Sequence, residues 1–445
     1  MAPLKRALRK TFSSLKVRNY RLYFFGQIVS LSGTWMQSVA QMWLVYQLTD
    51  SGVALGVVTA LQFTPVLLAG MWGGIVADRF DKRKILIACQ AVMASLALIL
   101  GTLTALEVVE LWMIYALAFC LGSVMVIEVP TRQSFVIEMV GEDRLPNAVG
   151  LNSTVFTSAR VVGPAIGGLM IAAVGIAWCF LINAVSFVGV ITALKLMRPD
   201  ELHRGLPAKR AKGQVREGLR YVWTHPVLRT SMIVMAIIGT MSFNFRIYLP
   251  VMAEREFGGG AGLYGTLSAV QGIGTVFGAL YAASRGRPTR RRLILASLAY
   301  GVLIVAVGLS TNIIVALLAL IPMGAAGIAF IATANSTLQL NSSEVMRGRV
   351  MALYSVVFLG STPIGSPIAG WIAENWGVRT GFFVSALACF VAGGYALSIV
   401  RRERLATRAV EPEPVVPATP DDAVLSGSGT SSRRLLGAVR FALRR

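Results

Sequence analysis

VVGPAIGGLMIAAVGIAWCFLINAVSFVGVITAL, Val161 to Leu194, runs for 34 positions without a charged residue. A bilayer crossing takes about 20 mostly apolar residues at a rise of about 1.5 Å each. The run is therefore read as parts of two spans, 147–172 and 176–197, split at Gly175. Runs of the same kind lie on both sides of it. Four precede it, at 22–48, 53–77, 85–105 and 109–130. Six follow, at 228–252, 262–284, 293–310, 313–336, 348–373 and 380–400, the ninth and tenth spans being divided near Thr311–Asn312. The expected fold is an all-α integral membrane protein with twelve transmembrane helices.

Composition agrees with this reading. Of 445 residues, 55% are hydrophobic and only 14% charged, with a mean hydropathy of +0.66, too few charges to dissolve a domain of this size. The 44 glycines suit helix contacts in lipid, where close approach replaces the hydrophobic drive. The net charge of +21 would suggest nucleic acid in a soluble protein. Here the basic residues come in bursts between uncharged spans, so no nucleic-acid partner is expected. Cys89, Cys120, Cys179 and Cys389 fall within apolar stretches and read as small packing residues. Both histidines, His203 and His225, sit in one basic loop. The basic start, MAPLKRALRKTF, has no small-residue cleavage site and leads straight into a span, so no removable signal peptide is expected.

With both termini on one face, that face carries 38 of the 42 Lys and Arg residues. Arg255 and Arg379 fall on the other face, and Arg160 and Arg246 fall inside spans. The positive-inside rule puts the basic face, and both termini, in the cytoplasm of a multi-pass inner-membrane protein.

The basic segment 198–227 separates two sets of six spans, 22–197 and 228–400, flanked by an N-terminal segment 1–21 and a tail 401–445. The two sets repeat in sequence. Leu151-Asn-Ser-Thr-Val-Phe156 matches Leu353-Tyr-Ser-Val-Val-Phe358 at an offset of 202, which also carries Gly163 onto Gly365, Gly168 onto Gly370 and Gly175 onto Gly377. Gly56 and Gln62 match Gly265 and Gln271 at an offset of 209. Parallel six-span repeats suggest two bundles that rock about a central site. The tail segment EPEPVVPATPDDAVLSGSGTSS has little to bury and is expected to be disordered. The final RRLLGAVRFALRR has one apolar and one basic helical face, fit either for the anionic inner leaflet or for solvent.

Gly74-Ile-Val-Ala-Asp78-Arg79-Phe-Asp-Lys82-Arg83-Lys84 follows span 2. Gly74 permits a close helix approach, and Asp78 at the membrane edge can cap a helix or pair with an arginine across a bundle interface. This loop resembles the signature loop of the major facilitator superfamily, which implies that Gly74, Asp78, Arg79 and Arg83 act as a conformational latch. It departs from the pattern at Asp81, where glycine is usual. The matching loop of the second half, Gly278 to Arg287, has no acid. Gly163-Pro164-Ala-Ile-Gly167-Gly168 in span 5 resembles a motif of superfamily exporters, and its proline and glycines permit a bend or tight packing. Gly33–Ser51, Leu145–Phe156 and Arg347–Ser355 look like the bacterial branch that includes the enterobactin exporter and related transmembrane secretion effectors. The resemblance implies efflux of a drug, siderophore or metabolite driven by protons. Span 4 has Ala118 where drug–proton antiporters often carry arginine, which puts proton coupling by that route in question.

Ionisable residues inside spans are few, and each is a functional candidate. Glu128, near Pro130 in span 4, either carries a proton in a coupled cycle or forms a structural pair with Arg132. Arg160 lies about thirteen residues, roughly 20 Å, into span 5 and either binds backbone carbonyls or attracts an anionic group on the substrate. Arg246 lies in span 7. Among uncharged polar residues, Gln37 and Asn152 are candidate substrate contacts, and Trp35, Trp43, Tyr46 and Phe63 suit a large, mostly apolar compound. No nucleotide loop, metal-ligand cluster, cofactor motif or nucleophile–base set is present, since Gly258 to Gly262 lies in an external loop. The expected protein is a non-enzymatic, monomeric secondary transporter exporting a hydrophobic or amphipathic small molecule in exchange for protons. An uptake transporter of the same fold and a non-transporting receptor or scaffold are the alternatives.

Overall fold

In a computed structural model, residues 12–203, 214–284 and 289–410 are described. Helices end where the sequence supplies stops. Ser51, Asp81, Thr289 and Asn312 each accept a backbone N–H of the helix that follows them, satisfying donors that a helix start leaves unpaired. Gly175, with φ at 97°, forms the corner between spans 5 and 6; this left-handed conformation is one that glycine adopts without strain.

Among the described residues, eleven helical segments are long and apolar enough to cross a membrane. They correspond to spans 2 to 12. Span 1 is the 32-residue helix Arg18–Thr49, which falls short on composition because glutamines, serines and threonines recur along it. It nevertheless packs along spans 5 and 6 inside the bundle. Spans 2 to 6 are Gly52–Arg79, Lys82–Ala105, Leu111–Val140, Leu145–Val174 and Ile176–Lys195. Spans 8, 9, 10 and 12 are Ala261–Ser284, Arg290–Leu309, Ile313–Leu340 and Val378–Val410.

Several boundaries depart from the sequence reading. The sequence pattern ends span 4 at 130, but its helix passes through Pro130 to Val140. Beyond the proline, Phe135, Val136 and Met139 are buried in a cluster with Tyr20, Tyr23, Leu86, Leu151 and Leu194, and this burial outweighs the lost hydrogen bond. Span 12 runs on to Val410, past the expected start of the tail at 401. The rest of the tail, 411–445, with its Pro- and Ser-rich segment and its basic end, lies outside the described residues. The segment 198–227 contains a further amphipathic helix, Gln214–Thr224, tied to span 11 by an Arg349–Glu217 ion pair of 2.5 Å.

Spans 7 and 11 are broken. Span 7 consists of Pro226–Ser242 and Phe245–Val251, continued by a wider turn over Met252–Glu256. Asn244 Nδ2 donates to the carbonyls of Thr240 and Met241, at 2.9 and 3.2 Å, and so satisfies acceptors freed at the break. Span 11 consists of Glu344–Gly360 and Thr362–Asn375. The two breaks face one another: a Cβ at Gly239 would come within 2.9 Å of Ser361 Oγ.

Within the first six spans, 2 packs on 4, 3 on 6, and 1 on 5 and 6. Within the last six, 8 and 9 both pack on 10. The two sets meet along two seams, span 2 against 11 and span 5 against 8, within one compact unit that ends at Ser398. A second unit begins at Ile399.

Candidate functional site

The two seams are built from the repeated small residues. A Cβ at Gly265 would meet Gly168 and lie 2.8 Å from the Pro164 carbonyl, and one at Gly56 would lie 2.5 Å from the Ser366 carbonyl and 2.9 Å from Pro367 Cα. Gly56 is the repeat partner of Gly265, and Ser366 is that of Pro164 at the offset of 202, so the seams are related by the internal repeat. The same relation holds deeper in each set. Gly122 abuts the Gln62 carbonyl of span 2, and Gly324 abuts the Gln271 carbonyl of span 8. The Gly122–Gly324 match carries the same offset of 202 and becomes visible as a repeat only once both contacts are known.

The span 5 motif lies on two of these contacts. Gly163 and Gly167 face span 1 at Trp35 and Met36, while Gly168 and the Pro164 carbonyl face span 8 at Gly265. At the face opposite the basic one, polar contacts also cross between the two sets. Arg255 donates to the Asp50 carbonyl at 2.6 Å and pairs with its carboxylate at 3.3 Å. Glu374 accepts from the backbone N–H of Val53 at 2.9 Å and from the Ser51 hydroxyl. Beside them Arg379 pairs with Glu256 at 2.6 Å. Of these residues the sequence marked only Arg255 and Arg379, as the two cations of the far face, and it did not show their partners.

At the basic face several contacts lie within the first set. Lys82 pairs with Glu138 at 2.5 Å. Arg83 donates to the carbonyls of Leu194 and Lys195, at 2.6 and 2.9 Å, at the end of span 6, where a cation suits the helix dipole. The helix cap of span 3 is Asp81, the residue that departs from the family pattern. Asp78 is partly buried and Arg79 is exposed. Gly73, next to Gly74 in sequence, makes a close approach to the Val126 carbonyl of span 4. Residues 285–288 of the matching second-half loop lie outside the described residues.

Between the seams, two intramembrane arginines converge. Arg160 Cζ lies 5.2 Å from the centroid of the Trp35 ring, and Arg246 Cζ lies 5.5 Å from it. Span 1 supplies the indole, span 5 one guanidinium, and span 7 the other, two residues beyond the break at Asn244. All three side chains are partly buried. Neither arginine has an ion pair or hydrogen bond among the described residues. Phe156, one turn before Arg160, holds the indole edge-on at 5.9 Å. Asn152, a further turn back, shares that helix face and is partly buried. Tyr300 is within electrostatic reach of Arg160, and Tyr264 of Arg246. Tyr264 in turn stacks on Trp43 of span 1, with centroids 6.1 Å apart.

The other candidates sit apart from this centre. Glu128 is buried and accepts from Arg132 Nε at 2.9 Å, one turn along the same helix. Gln37 is buried and accepts from Asn183 Nδ2 at 2.6 Å, in a link between spans 1 and 6 for which Gly33 leaves the space.

The profile of the transmembrane secretion effector family matches residues 9–426. The staphyloferrin A transporter of Staphylococcus aureus is 23% identical, over 83% of this chain and 93% of that protein. The multidrug efflux pump Tap of Mycolicibacterium fortuitum is 27% identical, over 86% and 96%. The enterobactin exporter EntS of Shigella boydii is 23% identical, over 86% and 89%. Among solved structures, the nucleoside transporter NupG superposes with a TM-score of 0.68 at 12% identity, over 87% of this chain and 99% of that one. An inward-facing bacterial homologue of the human lysosomal transporter Spinster gives 0.67 at 15% identity, over 86% and 96%. At these identities the structural likeness concerns the fold alone.

Proposed function

The chain belongs to the transmembrane secretion effector family of major facilitator transporters, and on that footing we propose that it exports a hydrophobic or amphipathic small molecule by alternating access, in exchange for protons. It works as a monomer in the bacterial inner membrane, with its basic face and both termini in the cytoplasm. The observation that carries this reading is the closure of the far face. Polar links and glycine seams join the two sets of helices there. The site around Trp35 is thereby sealed from the far side, as the substrate-loading state of an exporter requires. Opening the opposite way means parting Asp50 from Arg255 and Glu374 from Ser51. Efflux, rather than uptake, is favoured by the span 5 motif and by the efflux pump and exporter among the relatives.

Glu128 is the group assigned to the proton. Protonation cancels its charge and releases Arg132, converting a closed pair into a free cation and a neutral acid. The cycle balances when that proton enters from the far face and leaves to the cytoplasm as one substrate moves out. Proteoliposomes with an acidic lumen test this. Protein oriented with its basic face outward accumulates a dye or siderophore only while the gradient lasts, and a protonophore abolishes the accumulation. Glu128→Gln removes gradient-driven accumulation yet leaves dye exchange at equal pH. Accumulation that ignores the gradient overturns the antiport.

A further inference from the structure

Arg132, Arg255, Arg349 and Arg379 each meet a carboxylate, and Arg83 meets carbonyls at a helix end. Arg160 and Arg246 lie inside spans 5 and 7, where an unpaired charge is costly, and have the Trp35 indole in common. Cation–π attraction offsets part of that cost. It does nothing for the repulsion between two like charges held over the same ring, which grows as the surroundings dry. A guanidinium is a planar fork suited to two oxygens of a carboxylate or phosphate, and here two such forks reach one ring from different sets of helices.

We propose that Arg160, Arg246 and Trp35 form a clamp for an organic dianion carrying a planar ring, its two acid groups taken by the two arginines and its ring by Trp35 and Phe156. The inference rests on the transport reading above and narrows its substrate from an amphipathic compound to an anionic one. It also gives binding a consequence for the cycle. Without ligand, bringing the sets together presses two cations toward each other; a bound dianion turns that repulsion into a bridge, so the ligand favours the closed state by its differential contacts. The break in span 7 serves the clamp, because Asn244 holds the broken end and fixes where Arg246 begins.

The test is calorimetric titration of the purified full-length protein in detergent with naphthalene-1,4-dicarboxylate and with its neutral diamide. The dicarboxylate is expected to bind at least about tenfold tighter than the diamide. Arg160→Gln and Arg246→Gln each bring that preference below about threefold, and an unchanged gel-filtration profile shows that the variants are folded. Arg160→Lys keeps most of it. Equal binding of the two probes by the unaltered protein, no binding of the dicarboxylate at all, or a preference that survives both glutamine variants overturns the clamp. If the dicarboxylate preference holds and depends on both arginines, yet no gradient-driven movement occurs in proteoliposomes, the export reading fails and the clamp stands.

Discussion

Two of the pairs of charged side chains within the spans are built in opposite ways. Glu128 and Arg132 have opposite signs, sit one turn apart on a single helix and share a 2.9 Å hydrogen bond. Arg160 and Arg246 have the same sign, come from different sets of helices and meet only through Trp35. A pair carried by one helix is completed by local geometry and opens only when its acid takes up a proton. A pair split between two moving bodies is completed only when something else enters. The difference separates a charge the fold has already neutralised from one it leaves for a ligand, and the contrast can be broken experimentally.

Arg132→Ala should have the largest effect on stability. It strands a buried carboxylate, and breaking a buried pair from one side costs about 3–5 kcal/mol. The thermal midpoint of the detergent-solubilised protein should fall sharply, and Glu128→Gln added to Arg132→Ala should recover most of the loss. Arg160→Gln should do the reverse, leaving the midpoint unchanged or raised, because it removes a repulsion and breaks no bond. If both arginine variants lower the midpoint alike, the two sites do not differ in the way argued.

The glycine seam comes next in size. Gly265→Val places methyl groups where Gly168 and the Pro164 carbonyl already sit, and overpacking of this kind costs about 1–3 kcal/mol. Here the strain can be relieved by opening the far face. The expected outcome is a rise in labelling of a cysteine introduced at Ser51, with transport reduced by about tenfold for a shift of about 1.4 kcal/mol. Unchanged labelling with normal transport would mean that the seam does not seal the site.

How much of this was legible depends on the range of the signal. The spans were legible because lipid imposes a length and an apolar character on every crossing. Glu128 with Arg132 was legible because i, i+4 spacing on a helix is arithmetic. The seams were half legible: the repeat matched Gly56 with Gly265 and Gly168 with Gly370, but not which of them touch. The breaks at Phe243–Asn244 and Ser361 were not, since neither interrupts the hydropathy of its span. The helix of span 4 runs past the apolar stretch 109–130 to Val140, carried through Pro130 by the burial of Phe135 and Met139. Trp35 was visible only as one aromatic among several. Its place over two arginines, more than one hundred residues away in sequence, exists only once spans 1, 5 and 7 are brought together.

The far-face pair Arg255–Asp50 should give the smallest effect, and it sharpens the comparison. Like Arg160 and Arg246, its members come from different sets of helices, yet they have opposite signs and Asp50 is largely exposed. An exposed ion pair is worth only about 0–1 kcal/mol. Asp50→Asn should therefore leave the thermal midpoint within error and change the open-to-closed ratio of the far face by about twofold, read as the rate of labelling at a cysteine placed at Ser51. Raising the salt concentration should produce the same change in the unaltered protein and none in the variant, because a surface pair is screened. A large effect of Asp50→Asn would show that the latch is held by charge. The expected small one leaves closure to the glycine seams and, when ligand is present, to the dianion bridging Arg160 and Arg246.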